Sequence, residues 1–200
     1  MRILAIMGSY RRGHAVDRLV DEAIEGARRA DGVHVDKVVL IDRRIDYCRN
    51  CLVCRDDPTD ADCARCSISD DMDEIAPLIE RADAFIFGTP VTIGNVTAVM
   101  KTFLDRIVWR FAKPGGFPIE GCPGPRTKRR RRAIILLASS IVPPILRFTC
   151  DDATSLIKCV CKDALNARVI GSLYAGALEK RGLERYLPRA RSLGTKLVSQ

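Results

Sequence analysis

Short β-type apolar runs alternate with longer helical patterns along almost the whole chain, and few folds accept that rhythm. Residues 2–7 read as a buried strand, and residues 15–29 carry Val16, Leu19, Val20, Ala23, Ile24 and Ala27 at helical spacing. The pattern then predicts a second strand over 33–41 and a helix over 70–81, with Asp70 or Asp71 as its cap. A third strand is expected at 84–88, a helix at 96–108, a fourth strand at 133–138, a helix at 152–165, a fifth strand at 168–174 and a last helix at 183–199. Five strands joined by helices imply a parallel sheet, because right-handed crossovers place helices on both of its faces. This is an α/β, doubly wound architecture. The chain has 200 residues, no internal repeat and no low-complexity linker, so one domain over 1–200 is expected. Two long irregular stretches interrupt the rhythm, a cysteine-rich loop at 43–69 and a basic Pro/Gly-rich loop at 113–132, and connections of this length usually carry function.

Hydrophobic residues make up 47% and charged residues 29%, the balance of a soluble globular protein, and no apolar run is long enough to span a membrane. The first residues carry one positive charge and a very short apolar run that ends at Gly8 and Ser9, which reads as a strand rather than a signal peptide. A cytoplasmic, reducing location follows as the expectation. There the nine cysteines read as metal or redox thiols rather than as a disulfide framework. The net charge of +8 is uneven, with Arg126 and the run from Lys128 to Arg132 crowded together. No aromatic residue interleaves with that run, so it reads as a solvated loop and no nucleic-acid partner is expected.

In open α/β sheets ligands sit beyond the carboxyl ends of the strands, where the strand order reverses. The first such loop contains Gly8, Ser9, Tyr10, Arg11, Arg12, Gly13 and His14. Glycines, a hydroxyl and arginines before a helix suit a phosphate, because free N–H groups and the helix dipole attract an anion. The loop lacks the Lys-Ser/Thr ending of a P-loop and the three spaced glycines of a dinucleotide fingerprint. The second loop runs from Gly88 to Thr97, where Pro90 and Gly94 are expected to hold an extended turn with unpaired backbone amides. His14 and His34 are the two histidines, and no Ser-His-Asp order or paired catalytic carboxylates are found, so no protein nucleophile or general base is expected.

Residues 89–106, beginning Thr89, Pro90, Val91, Thr92, Ile93, Gly94, Asn95, together with 8–13, resemble the NADPH-dependent FMN reductase and iron-sulfur flavoprotein branch of the flavodoxin-like proteins. The resemblance covers about the first 110 residues. It implies a flavodoxin-like five-stranded sheet of order 2-1-3-4-5, FMN as cofactor and NAD(P)H as co-substrate. It also implies that Ser9, Arg11, Gly13, His14, Ala15 and Val16 hold the FMN phosphate, that residues 89–95 lie along the isoalloxazine ring, and that Ser139 and Ser140 approach its other edge. The family often has Gly-Asn-Thr where this chain has His14, Ala15 and Val16, and an aromatic residue where it has Thr92. Ser9, Arg11 and backbone amides are then left with more of the phosphate binding. The implied activity is hydride transfer from NAD(P)H to flavin and reduction of a small acceptor, such as a quinone, a free flavin, a nitro or azo compound or a metal ion. The alternative is an electron carrier or redox-responsive protein that uses its cysteine loop. Relatives of this type imply a homodimer or homotetramer, and residues 140–148, apolar where a loop should be polar, fit such a contact or a lid over the flavin.

Within the cysteine loop, Cys48, Cys51 and Cys54 follow two C-x-x-C steps, and a distal cysteine precedes Asp70, Asp71 and Met72. This resembles the motif with which iron-sulfur flavoproteins bind a [4Fe-4S] cluster. It implies Cys48, Cys51, Cys54 and Cys66 as ligands, with Cys63 as the alternative to Cys66. Two other readings stay open: a tetrahedral zinc held by Cys51, Cys54, Cys63 and Cys66, or thiols without a metal. Cys122, Cys150, Cys159 and Cys161 read as small buried or helix-face residues.

Overall fold

The computed structural model describes residues 1–116, 119 and 121–199. Strand β1 (Arg2–Met7) alternates its side chains, with Leu4 and Ile6 on one face and Ile3, Ala5 and Met7 on the other. Helix α1 (Ala15–Ala27) leads to β2 (His34–Val39), and the cysteine loop leads to α2 (Met72–Arg81), β3 (Ala84–Pro90) and α3 (Ala98–Phe111). Then come two short strands, β4 (Ala112–Gly116) and β5 (Cys122–Pro125), followed by β6 (Arg131–Ala138), α4 (Asp152–Asp163) and β7 (Ala167–Ala175). A four-residue α5 (Leu178–Arg181) and α6 (Leu187–Val198) complete the described chain.

Five of these strands form one parallel sheet of order β2-β1-β3-β6-β7. Because β4 and β5 pair with each other as a separate antiparallel hairpin, β6 and β7 are the fourth and fifth strands of the main sheet. The expected order 2-1-3-4-5 thus stands under a different count. Helices α2, α3 and α4 bury Phe85, Phe87, Phe103 and Phe111 on one face. On the other face α1 and α6 cover Ile86, Ile134 and Leu136. Those two helices meet backbone to backbone: a Cβ on Gly194 would lie 1.8 Å from the Ala23 carbonyl oxygen, and one on Gly26 would lie 2.0 Å from that of Arg191. Helices this close leave no room for any other residue at either position.

Two expectations are corrected. The stretch 113–132 is not wholly irregular, since it contributes the hairpin; its residues 117, 118 and 120 lie outside the described residues. Nor is the arginine run a solvated loop throughout. Arg126 and Arg131 are buried, and the Arg126 guanidinium donates to the carbonyls of Ala112, Thr59 and Cys54 at 3.0 to 3.1 Å. Element ends also shift by a few residues: β3 runs on to Pro90, β6 starts at Arg131, and a 3-10 turn at Glu184–Tyr186 delays α6 to Leu187. Among the described residues no helix is long and apolar enough to cross a membrane.

Candidate functional site

The sheet changes direction between β1 and β3, so the loops after those strands lie side by side at the carboxyl edge. They are tied together: the Gly8 N–H donates to the Gly88 carbonyl at 2.7 Å, and the Thr97 hydroxyl donates to the Gly8 carbonyl at 2.6 Å. A Cβ on Gly8 would come within 2.8 Å of Met100 Cε, so a glycine is what lets the first loop settle against α3. Between these loops and the ends of β6 and β7 lies a pocket of about 330 Å³. Its walls are Ser9, Tyr10, Arg11, His14, Ala15, Val16, Pro90, Ala138, Ser139, Ser140 and Leu178.

One end of this pocket has the donors to receive an anion. His14 is the N-cap of α1 but makes no side-chain capping bond, so the first N–H groups of the helix, including those of Ala15 and Val16, are left without intrahelical partners. Arg11 is the cation beside them, and among the described residues no carboxylate lines the pocket. Ser9 Oγ accepts the Arg11 N–H at 3.2 Å and folds the loop back on itself. Gly13, with φ +68°, donates its N–H to the Asp17 carboxylate at 2.7 Å and does not line the pocket. Burial alone would raise the Asp17 pKa. Lys37, 2.5 Å away, and the Gly13 amide outweigh that and hold the carboxyl below its ordinary value. Unpartnered helix amides, an arginine and the hydroxyls of Ser9, Ser139 and Ser140 fit a phosphate carried on a polyol chain. The volume lies at the lower end of the roughly 300–1,000 Å³ common for small-molecule sites.

The loop after β3 departs from expectation, because most of its amides are already paired. The Val91 N–H donates to the Ala138 carbonyl at 2.8 Å, and Thr92 and Asn95 exchange N–H to carbonyl bonds at 2.8 and 3.1 Å. The Val96 N–H takes Asn95 Oδ1 at 2.8 Å, and the buried Thr89 hydroxyl accepts the Thr97 N–H at 3.4 Å. Residues 92–95 thus close a tight turn with Ile93 at φ +48° and Gly94 at φ +78°, the sign pattern of a type I′ turn. Among the described residues the N–H groups of Ile93 and Gly94 have no partner, and the Ile93 side chain is fully exposed. Of residues 89–95, Pro90 alone lines the pocket itself.

Sequence reasoning did not single out Tyr10, Ala138 and Leu178 as walls. Leu178 follows β7, whose carboxyl end lies at the same edge as the other loops; that position was the available signal. The Tyr10 hydroxyl accepts the Ala98 N–H at 3.1 Å, and its ring also borders a neighbouring hollow of about 270 Å³ that includes Ile45, Tyr47 and Thr102.

Buried arginines pin the cysteine loop from beneath. From α3, Arg106 donates to the Asp46 carbonyl at 2.7 Å, forms a two-pronged ion pair with Asp70, and faces Cys66 Sγ at 3.8 Å. Burial would raise the Asp70 pKa, yet Arg106 and the amides of Asp46 and Met72 hold it below its ordinary value. Arg110 donates to the carbonyls of Ala64 and Met72. Of the thiols, Cys51 is exposed and its pKa is lowered by its hydrogen bond with Ser67. Cys54 is raised by burial and by the nearby Cys66 and Cys48. Cys63 packs against the core and is raised by that burial. Among the described residues no three His, Cys, Asp or Glu side chains converge to hold a metal ion. Among the described residues the thiols, as placed, form neither a cluster site nor a zinc site.

The family described as NADPH-dependent FMN reductase matches residues 1–129. An iron-sulfur flavoprotein of Archaeoglobus fulgidus is 36% identical over 108 residues, which are 54% of this chain and 46% of that protein. The chain therefore spans about half the length of the curated relatives it matches. A solved NAD(P)H:quinone oxidoreductase from Methanothermobacter marburgensis superposes with a TM-score of 0.74 at 18% identity, covering 100% of this chain and 98% of its own. An FMN-dependent NADH-azoreductase from Bacillus anthracis, solved with FMN, superposes at 0.70 and 10% identity over 99% of both chains. The structural likenesses carry the fold, and the family match extends over well more than half of the sequence. On that match the chain belongs to the NADPH-dependent FMN reductase family.

Proposed function

We propose that residues 1–200 form one FMN-binding domain acting as an NAD(P)H-dependent flavin oxidoreductase, with the pocket between β1, β3 and β6 as its cofactor site. The observation that carries this reading is the uncapped start of α1 beside Arg11, at the strand-order reversal, in a pocket without a carboxylate. Arg11 and the amides of Ala15 and Val16 hold the phosphate, with Ser9 shaping the loop and His14 as a wall. Ser139 and Ser140 offer hydroxyls to the polyol chain and the ring edge. Pro90 packs against the ring, and the free N–H groups of Ile93 and Gly94 are the donors that the 89–95 turn retains for its acceptor atoms. FMN, when bound, supplies a flavin that accepts hydride from NAD(P)H and passes electrons to a small acceptor: a quinone, another flavin, a nitro or azo compound or a metal ion. The protein's part is to orient the ring and shield it, since no side chain in the pocket forms a nucleophile–base pair.

The assembly we infer is a homodimer or homotetramer in the cytoplasm, joined through the apolar segment 140–148. Ile141, Ile145 and Phe148 there are each more than three-quarters exposed. The second reading is an electron carrier of the iron-sulfur flavoprotein type. Its supporting observation is the arginine-pinned loop itself, where Cys54 feels the charges of both Cys66 and Cys48 although the three do not converge on a common centre, together with the name carried by the curated relatives.

Titration of FMN into the protein, followed by flavin fluorescence, tests the site. Binding is expected, and Arg11→Ala should weaken it about tenfold, the usual value of one charge-assisted hydrogen bond. No binding at millimolar FMN would rule the site out. NAD(P)H oxidation assayed with a quinone, an azo dye and ferric ion separates the two functional readings: turnover supports the reductase, and its absence in FMN-loaded protein supports the carrier.

A further inference from the structure

A larger hollow, about 500 Å³, opens at the opposite end of the sheet, beside the amino ends of β6 and β7. The length of β6 separates it from Ser139 by roughly 25 Å, so it is no extension of the flavin pocket. It is lined by Arg130, Arg131, Lys158, Lys162, Asn166 and Arg168, and among the described residues no carboxylate lines it. Among the described residues Lys162 alone of these cations forms an ion pair, a loose one with Asp163 at 3.8 Å. Five cations around one concavity repel one another unless an anion joins them.

Arg131 makes the site more than a charged surface. It is 3% exposed, its Nη1 donates to the Ile79 carbonyl at 3.0 Å, and its guanidinium lies over the Phe85 ring at 5.6 Å. The group is thereby fixed in orientation. Among the described residues its Nε and Nη2 have no hydrogen-bond partner. Those two atoms form the side-on edge of the guanidinium, and both are sealed from solvent, so Arg131 gives the wall of the hollow a fixed charge rather than an exposed pair of donors. Buried donors left unpaired are unfavourable, and a native chain rarely keeps two on one group without a use. Burial, and then the neighbouring Arg129, push the Arg131 pKa below its ordinary value, the direction for a guanidinium that lacks a counter-ion.

The other arginines of the run are engaged elsewhere. Arg126 holds the cysteine loop, Arg129 donates to Asp83 and to the Glu80 carbonyl, and Arg132 donates to the Ser199 carbonyl. The run is therefore no continuous stripe such as a nucleic-acid backbone would follow; its free charges, with those of α4 and β7, converge on one hollow.

We propose that this hollow is a second ligand site, one that binds the diphosphate group of a small molecule, with Arg131 adding a fixed positive charge from the wall. Arg130, Lys158, Lys162 and Arg168 meet the remaining charge, and a singly charged anion would leave most of them unmatched. The source is either a bare diphosphate or a nucleoside diphosphate, which the experiment distinguishes.

Calorimetric titration of the full chain, saturated with FMN and at low salt, tests this with inorganic pyrophosphate and with ADP. One equivalent of pyrophosphate is expected to bind. The double variant Lys158→Ala/Arg168→Ala, both exposed positions, should weaken it at least tenfold while leaving FMN affinity unchanged. Tighter binding of ADP would identify a nucleoside diphosphate as the source, and equal or weaker binding a bare diphosphate; both results support the site. The proposal is overturned if neither probe binds at millimolar concentration, or if the double variant binds as the parent does. It is overturned equally if Arg11→Ala in place of the double variant abolishes binding, which would put the anion in the flavin pocket. A single-stranded DNA 20-mer that outcompetes pyrophosphate with a steep salt dependence would reassign the hollow to nucleic acid.

Discussion

Asp17 serves the loop rather than the ligand. Its carboxylate accepts the Gly13 N–H and pairs with Lys37, and so fixes the left-handed turn that leads into α1. Because its folded pKa lies below the unfolded value near 4, the stability it contributes is present above that value and lost as pH falls through the folded one. Asp17→Asn should therefore cost about 1–2 kcal/mol at pH 7. It should also flatten the loss of stability on going from about pH 5 to pH 2, as urea unfolding across that range would show. At Ile93 the chain accepts something rarer, a β-branched residue at φ +48°. Nothing in the one-dimensional pattern marks such a position, which is why residues 92–95 read as an open, extended turn when they are a closed one. Tyr10 and Leu178 escaped notice for a related reason: each becomes a wall through tertiary adjacency, which spacing along the chain does not encode. Ser9, Arg11, His14, Ala15 and Val16 do line the pocket at the carboxyl edge, the place that the resemblance of their loop implied.

At the level of elements, the five strands of the main sheet could be read directly, since strands buried on both faces are continuous apolar runs and the helices between them keep their period. The hairpin of β4 and β5 could not. Pro114, Gly115, Pro123, Gly124 and Pro125 are poor strand formers, and the pairing is held by neighbours rather than by propensity. The start of β6 was hidden too, because Arg131 and Arg132 read as the end of a charge run although they already belong to the ladder with β3 and β7. The contact between α1 and α6 is the most exacting joint among the helices. Gly194→Ala forces a methyl group against the Ala23 carbonyl, and the helices must part to admit it. A loss of about 2–3 kcal/mol is expected, seen as a lower thermal midpoint. Ser192→Ala, on an exposed position of the same helix, should leave the midpoint within a degree or two of the parent.

Across the molecule the two ends of the sheet differ in character: hydroxyls, one arginine and an apolar rim at the carboxyl edge, a cluster of cations at the amino edge. The rim includes Ile145 and Phe148, each 79% exposed, which is costly for a free monomer surface. Ile145→Asp/Phe148→Asp should shift the assembly to smaller species in sedimentation velocity, raising its dissociation constant at least tenfold. FMN binding by the dissociated species should persist, since neither side chain lines the pocket. The footing of the thiols has a consequence of its own. Arg106, Arg110 and Arg126 grip the loop through backbone carbonyls and the Asp70 carboxylate, so its anchors are not themselves thiols. Changes of charge on the cysteines can thus come and go without loosening the ground on which they stand.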